Sequence, residues 1–397
     1  MNTAGRSWTR ASTALALNRQ TTILLVAILA IGSGEEMWIR FLPKYLQAFG
    51  ASAFLIGVFD AIKTLLGAVY AYPGGYIADR FGHRLAFVGF TLLSIAGYFL
   101  LIVLPSPGGV IASMFLFLAW SDFSLPATFS LVAQALPAGR HAMGIGMQSL
   151  IRRIPVILGP IAGGVLIDRL GVGRGVRIGA AISVLLGVFA SVLLGRFVER
   201  TAQPASLHGF RQIVTMFSPQ LRRLLFSDIL IRFCERLPFA WVVIYAMDQG
   251  VSASEVGVLI AIEMGAAIVC YVPASALADR YGKEPFVIAT FVMFTLFPLA
   301  LAAAHTFPAL AVAFAIRGLK EFGEPARKSL IVSYSPATAR GASVGAYYLI
   351  RDSVVTTGSF AGAALWQWGP KVNLFVAAGI GVLATLVYTA GFKKTSE

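Results

Sequence analysis

Apolar residues run along this chain in stretches of twenty or more, broken by short polar turns. About 20 apolar residues in helical form cross roughly 30 Å of hydrocarbon, so each stretch predicts a membrane-spanning helix. The stretches fall at 20–45, 53–76, 84–104, 108–132, 142–168 and 176–195, then at 221–247, 253–276, 285–304, 307–331, 341–366 and 371–392. They are numbered here as the first to the twelfth span. Turns such as Pro105-Ser106-Pro107-Gly108-Gly109 leave no room for extramembrane domains. The longer connection from Arg196 to Gln220 is basic, carries Pro204 and Pro219, and reads as a linker. The expected architecture is an all-α membrane protein, with twelve transmembrane helices in two pseudo-symmetric six-helix bundles. These cover residues 1–195 and 221–397, with a cytoplasmic linker at 196–220. The first stretch lacks a small-residue cleavage site and continues into Glu35 and Glu36, which predicts a retained span rather than a signal peptide.

The polar breaks repeat. Gly75-Tyr76-Ile77-Ala78-Asp79-Arg80-Phe81-Gly82-His83-Arg84 follows the second span, and Ala278-Asp279-Arg280-Tyr281-Gly282-Lys283 follows the eighth. At an offset of 200, Gly57 matches Gly257 and Pro73 matches Pro273. At an offset of 199, Pro126-Ala127 matches Pro325-Ala326, Leu150-Ile151-Arg152 matches Leu349-Ile350-Arg351, and Gly159 matches Gly358. An even number of spans in each half makes these parallel repeats, related by an axis along the membrane normal.

Composition agrees with a lipid solvent: 57% of residues are hydrophobic, 13% are charged and mean hydropathy is +0.78, against about 25% charged in soluble domains. The net charge of +14 does not point to nucleic acid, because no soluble basic domain is present to bind it. Instead, eighteen Lys and Arg, Arg327 and Lys328 among them, are assigned to the loops and span ends on one side. Only Lys44, Arg169, Arg174, Arg177 and Lys371 lie on the other. That bias orients the chain with both termini cytoplasmic. The two cysteines, Cys234 and Cys270, fall inside spans and predict neither a disulfide nor a metal site. No Ser-His-Asp set, metal cluster or phosphate-binding loop suggests an enzyme, and no cofactor is expected.

Charges inside the spans carry the functional information. The first span holds Glu35, Glu36 and Arg40, and the seventh holds Arg232, Glu235 and Arg236. Asp60 and Lys63 lie in the second span, Glu263 in the eighth. Asp122 lies in the fourth span, Arg152 and Arg153 in the fifth. Arg317, Lys320, Glu321 and Glu324 lie in the tenth span, Arg351 and Asp352 in the eleventh. At roughly 2.5–3.5 kcal/mol each at mid-bilayer, this set facing lipid would cost on the order of 50 kcal/mol. They must line a shared interior, with the third and sixth spans of each half as the lipid-facing rim. Arg317, Lys320, Glu321, Glu324 and Lys328 recur at helical intervals and form one stripe. The solute-binding set is therefore expected to be Glu35, Glu36, Arg40, Lys63, Arg152, Arg232, Glu235, Arg236, Glu263, Arg317, Lys320, Glu321, Glu324 and Arg351. Guanidinium grips carboxylate or phosphate with two bonds, so an anionic or zwitterionic solute is expected. Asp122, Asp60 and Glu36 are the candidate proton carriers. Asp122 leads because no basic residue lies one turn away on its own helix.

Gly75-x-x-x-Asp79-Arg80-x-Gly82-x-Arg84 resembles the loop between the second and third helices of the major facilitator superfamily, and Asp279-Arg280 resembles its weaker second copy. The resemblance covers the whole chain. It implies two bundles rocking about a central site, with Gly75, Asp79, Arg80, Gly82 and Arg84 as a cytoplasmic latch near the start of the eleventh span. Gly146, then Gly159-Pro160-Ile161-Ala162-Gly163-Gly164, resembles the fifth-helix motif of the drug–proton antiporter branch. Five of six fixed positions match, and Pro155 replaces one glycine. The fourth span departs from the pattern. Ala119-Trp120-Ser121-Asp122-Phe123-Ser124 lacks the buried arginine of proton-coupled exporters, while Arg317-Gly318 in the tenth span resembles that motif loosely. The resemblance implies a monomeric exporter of a small molecule in a bacterial cytoplasmic membrane, driven by the proton gradient. A facilitator or exchanger of an organic anion or phosphate ester, and a sensor that has lost transport, are the alternatives.

Overall fold

A computed structural model describes residues 19–124, 128, 141–198, 210–335 and 340–393, all helix or short turns with no strand among them. The spans appear in the expected order. Five of them are Ala53–Phe81 (second), His83–Val103 (third), Ala253–Tyr281 (eighth), Glu284–Ala303 (ninth) and Arg340–Trp368 (eleventh). Pro370–Lys393 is the twelfth. The fifth and sixth run together as His141–Phe197 and part at Gly171, whose φ of 78° only glycine adopts readily. A short helix, Phe210–Thr215, lies in the linker. Among the described residues seven helices are long and apolar enough to cross a membrane on those grounds alone, one of them (Ile151–Phe197) containing most of the fifth span and all of the sixth.

The first, fourth, seventh and tenth spans are each interrupted, and each interruption has a local cause. The first runs Arg19–Glu36, tightens through a 3₁₀ turn at Ile39–Phe41 and resumes at Leu42–Ala48. The poor helix formers Gly32-Ser33-Gly34 precede the break, and Trp38 Nε1 donates to Ser183 Oγ at 2.8 Å. The fourth runs Pro107–Leu118 and widens into a π turn at Ala119–Phe123. There the Ser94 hydroxyl inserts into the ladder, donating to Phe117 O at 2.9 Å and accepting from Trp120 N–H at 2.8 Å. The seventh, Pro219–Phe239, ends one residue after Pro238 and resumes as Val242–Asp248. Asn373 Nδ2 donates to the carbonyl of Leu237 beside this break and to that of Gly362 on the eleventh span, at 3.0 and 2.8 Å. The tenth runs Phe307–Leu319, a 3₁₀ turn at Lys320–Gly323, then Glu324–Tyr334. The Gly323 N–H donates to Thr290 Oγ1 at 2.6 Å. Irregular backbone at membrane depth is tolerated only where protein or a wet cavity surrounds it. Four broken spans thus mark where polar chemistry can sit.

The chain divides into two compact units. One is Met1–Leu42 with Leu66–Ser206, the other Pro43–Leu65 with Leu207–Glu397. The front of the second span therefore packs with the second unit: a Cβ on Gly57 would lie 2.6 Å from Ala363 Cβ and 2.8 Å from Ser359 O. Along the rim spans the exposed side chains are apolar. Leu92 and Phe99 stand out on the third, Leu185 and Phe189 on the sixth, and Phe375 and Leu386 on the twelfth.

Candidate functional site

In the first unit, polar groups gather at the break in the first span. Glu35 is the penultimate residue of the helix there and is only 6% exposed. Its Oε1 accepts a hydrogen bond from the Tyr98 hydroxyl at 2.6 Å and its Oε2 accepts one from Ser121 at 2.7 Å. Glu36 pairs with Arg40 one turn on, at 3.1 Å. Asp122 lies in the π turn beside Gly67, where a Cβ would sit 3.6 Å from its Oδ1. Arg152 on the fifth span feels the charges of both Glu35 and Asp122. Its Nε and Nη2 are buried with no hydrogen-bond partner among the described residues. The fifth-span glycines back this site: a Cβ on Gly159 would meet Glu36 Cβ at 2.6 Å, and one on Gly163 would meet Met37 O at 1.7 Å. Pro160 and Gly164 are buried beside them. Gly146 lies near the start of that helix.

In the second unit the charges form a connected chain of ion pairs. Glu235 accepts from Arg232 at 2.8 Å and from Lys320 at 2.6 Å. Lys320 also lies 3.8 Å from Glu263, which Arg317 holds at 3.2 Å. Arg232 and Arg327 both bind Glu324. Arg327, Arg351 and the Tyr347 hydroxyl converge on Asp228, which is fully buried. Arg351 also pairs with Asp352 at 2.8 Å. Aromatic faces support the cations: Arg232 sits over Phe294 at 5.1 Å, Arg317 over Phe297 at 5.2 Å and Arg351 over Tyr348 at 4.5 Å. Beside this network opens a cavity of about 270 Å³ lined by Arg232, Glu321, Glu324, Arg327, Lys328, Tyr348 and Arg351. In the same unit, Asp60 of the second span accepts from Arg236 at 3.0 Å and from Ser359 at 2.6 Å. Lys63, one turn along the same span, is half-buried.

The two halves place equivalent residues at equivalent contacts. A Cβ on Gly358 or Gly362, the counterparts of Gly159 and Gly163, would meet Arg236 Cβ at 3.3 Å or Leu237 O at 2.3 Å. Glu36 and Arg236 thus occupy one repeated position with opposite charge.

Two residues at the heart of the network escaped sequence reasoning. Asp228 lies one turn before Arg232 and two before Glu235, so the helical stripe could have found it. Arg327, by its place near the end of the tenth span, belongs on the sequence pattern with the cytoplasmic loop charges. The structure corrects this: Arg327 is 2% exposed, three residues after Glu324 and bound to it.

The residues expected to form the latch flank two glycine turns. Gly82 and Gly282 have φ of 87° and 92°, and the guanidinium groups of Arg80 and Arg280 sit over Phe81 and Tyr281 at 5.5 and 5.4 Å. Arg84 opens the third span half-buried. The side chains of Asp79 and Asp279, and the surroundings of Gly75, lie outside the described residues.

The sequence profile of the Major Facilitator Superfamily matches residues 24–247 and 224–396. The chain belongs to that superfamily. Over 387 residues it is 24% identical to the Multidrug resistance protein MdtG of Salmonella arizonae, covering 94% of each chain. It is 22% identical to MdtG of Enterobacter lignolyticus over 382 residues, covering 94% of this chain and 91% of the relative. Among solved structures, the nucleoside transporter NupG superposes with a TM-score of 0.76 at 14% identity, over 93% of this chain and 99% of that one. This facilitator-superfamily chain is thus an integral membrane transporter for a small molecule, not an enzyme.

Proposed function

We propose that this transporter is a proton-coupled exporter of a polar or charged small molecule, anionic or zwitterionic, working by alternating access between two rocking bundles. The observation that carries the solute class is the cavity of the second unit, where four cations and two carboxylates share the wall with Tyr348. Guanidinium and ammonium groups so placed grip an acidic head, and Glu321 on the same wall suits a positive group on the same molecule. The likeness to MdtG, named for multidrug resistance, supports export. So does the glycine motif of the fifth span, which seats the broken first span. In this reading both termini are cytoplasmic, a monomer suffices, and Asp79, Arg80 and Arg84 with their repeat at Asp279 and Arg280 latch the cytoplasmic ends.

The test uses purified protein in proteoliposomes loaded at acid pH and diluted into alkaline buffer. The probes are radiolabelled benzoate, glutamate, glucose-6-phosphate and tetraphenylphosphonium. An exporter of the proposed class accumulates benzoate, glutamate or glucose-6-phosphate, and a protonophore abolishes the accumulation. Uptake driven by internal phosphate and indifferent to the protonophore would instead establish an anion exchanger. Accumulation of tetraphenylphosphonium alone would overturn the anionic assignment.

A further inference from the structure

We infer that Glu35 carries the coupled proton, an assignment that rests on the proton-coupled reading above and locates its titrating group. The repeat itself points there. Glu35 and Glu235 occupy the same place in the two halves, 200 residues apart. Glu235 is clamped by two cations, Arg232 at 2.8 Å and Lys320 at 2.6 Å. The counterparts of those cations in the first half are Gly32, at an offset of 200, and Ser121, at an offset of 199. The carboxylate has been kept and both of its counter-ions replaced. In their place stand two hydroxyls, Ser121 at 2.7 Å and Tyr98 at 2.6 Å.

Hydroxyls serve both forms of a carboxyl group, which cations do not. Tyr98 donates to Oε1 whether Oε2 is charged or protonated. Ser121 donates to the carboxylate and, by turning its O–H, accepts from the acid. One proton therefore joins Oε2 from water on one side of the membrane, forming an O–H bond, and leaves to water on the other. No heavy atom of the cradle needs to move. Burial disfavours the charged form of a carboxyl group unless a partner compensates. Among the described residues no cation lies within ion-pair distance of Glu35. The charged or titratable groups around it are Glu36 on its own span, Tyr98 on the third, Asp122 on the fourth and Arg152 on the fifth. Glu36 is already matched by Arg40. Arg152 acts on both Glu35 and Asp122 without bonding Glu35. The sixth span reaches this turn through the neutral Ser183, which accepts from Trp38. The earlier candidates Glu36 and Asp60 each have a bound guanidinium. The division of labour is then asymmetric: the first half keeps a neutralisable carboxyl, and the second keeps its charges fixed for an anionic group.

Infrared difference spectra of the full-length protein in proteoliposomes, taken across a pH titration, read the carboxyl C=O stretch directly and need no solute. The wild type is expected to show a protonated-carboxyl band that Glu35→Gln removes and Asp122→Asn leaves in place. Ser121→Lys rebuilds the Lys320–Glu235 pair in the first half and is expected to hold Glu35 ionised, abolishing the band. Glu35→Gln is close to isosteric and keeps both hydroxyl contacts, so its fold is preserved. A band that persists in Glu35→Gln overturns the inference. So does pH-driven uptake of benzoate, glutamate or glucose-6-phosphate that survives this substitution, which would leave the exporter reading intact. A band that vanishes in Glu35→Gln, in vesicles whose uptake ignores the pH gradient, retains the proton site and removes the exporter reading.

Discussion

Asp228→Ala is expected to be among the most destabilising single substitutions in this transporter, costing about 3–5 kcal/mol, the range for breaking a buried pair by removing one partner. Asp228 is fully buried and receives Arg327, Arg351 at 3.4 Å and the Tyr347 hydroxyl at 3.0 Å. Truncation leaves those donors facing a void. Arg351 retains Asp352, and Arg327 retains Glu324, but Glu324 is already shared with Arg232. One positive charge is then in excess inside a closed network. The double variant Asp228→Leu with Arg327→Met removes one charge of each sign and fills the volume with apolar side chains. It is expected to recover most of the lost stability, because a buried pair and a hydrophobic isostere are often equivalent energetically. Chemical unfolding in detergent micelles, followed by tryptophan fluorescence, measures both. A single-variant loss below about 1 kcal/mol, the range of solvent-exposed pairs, would show that Asp228 is wetter than its burial implies. The double variant is also expected to lose transport, since Arg327 lines the cavity.

How much of this was legible beforehand depends on whether a contact is written in helical spacing. The tenth-span stripe was legible because side chains three and four apart share a face, and Lys320 and Glu324 do reach the seventh span. The apolar runs marked the spans because length and hydropathy alone decide what can cross lipid. The breaks were not legible. The π turn at Ala119–Phe123 depends on the Ser94 hydroxyl from a neighbouring span, which no local pattern encodes. Tyr98 is the sharper case. It lies on the third span, read as lipid-facing rim, yet its ring is fully buried and its hydroxyl reaches Glu35. A rim helix has an inner face, and one polar tip on that face carries no charge to announce it. The packing of residues 43–65 with the second unit had no signal in the repeat, because an offset match records equivalence between halves and not which half a segment touches.

The substitution expected to act most strongly through shape is Gly163→Ala. A methyl group there would be placed 1.7 Å from the carbonyl oxygen of Met37, in the turn where the first span breaks. No side-chain rotation relieves a clash with backbone, so the fifth span must back away. Overpacking costs typically about 1–3 kcal/mol and occasionally more, and this contact belongs at the upper end. The displaced segment carries Glu35 and Glu36, so transport is expected to fall further than folded yield. The repeat supplies an internal check. Gly362 occupies the equivalent place, where a Cβ would lie 2.3 Å from Leu237 O, and Gly362→Ala is expected to disturb the seventh-span break in the same direction but less severely. Gly379→Ala is the control: nothing lies within 4 Å of its Cβ in the twelfth span, and alanine in a helix interior gains up to about 1 kcal/mol over glycine. Melting temperatures in detergent, with proteoliposome uptake of the same probes, rank the three. A Gly163→Ala protein as stable and active as Gly379→Ala would mean that the first and fifth spans do not meet at the Met37 carbonyl. The glycine motif would then reflect helix propensity and not the seat of the broken first span.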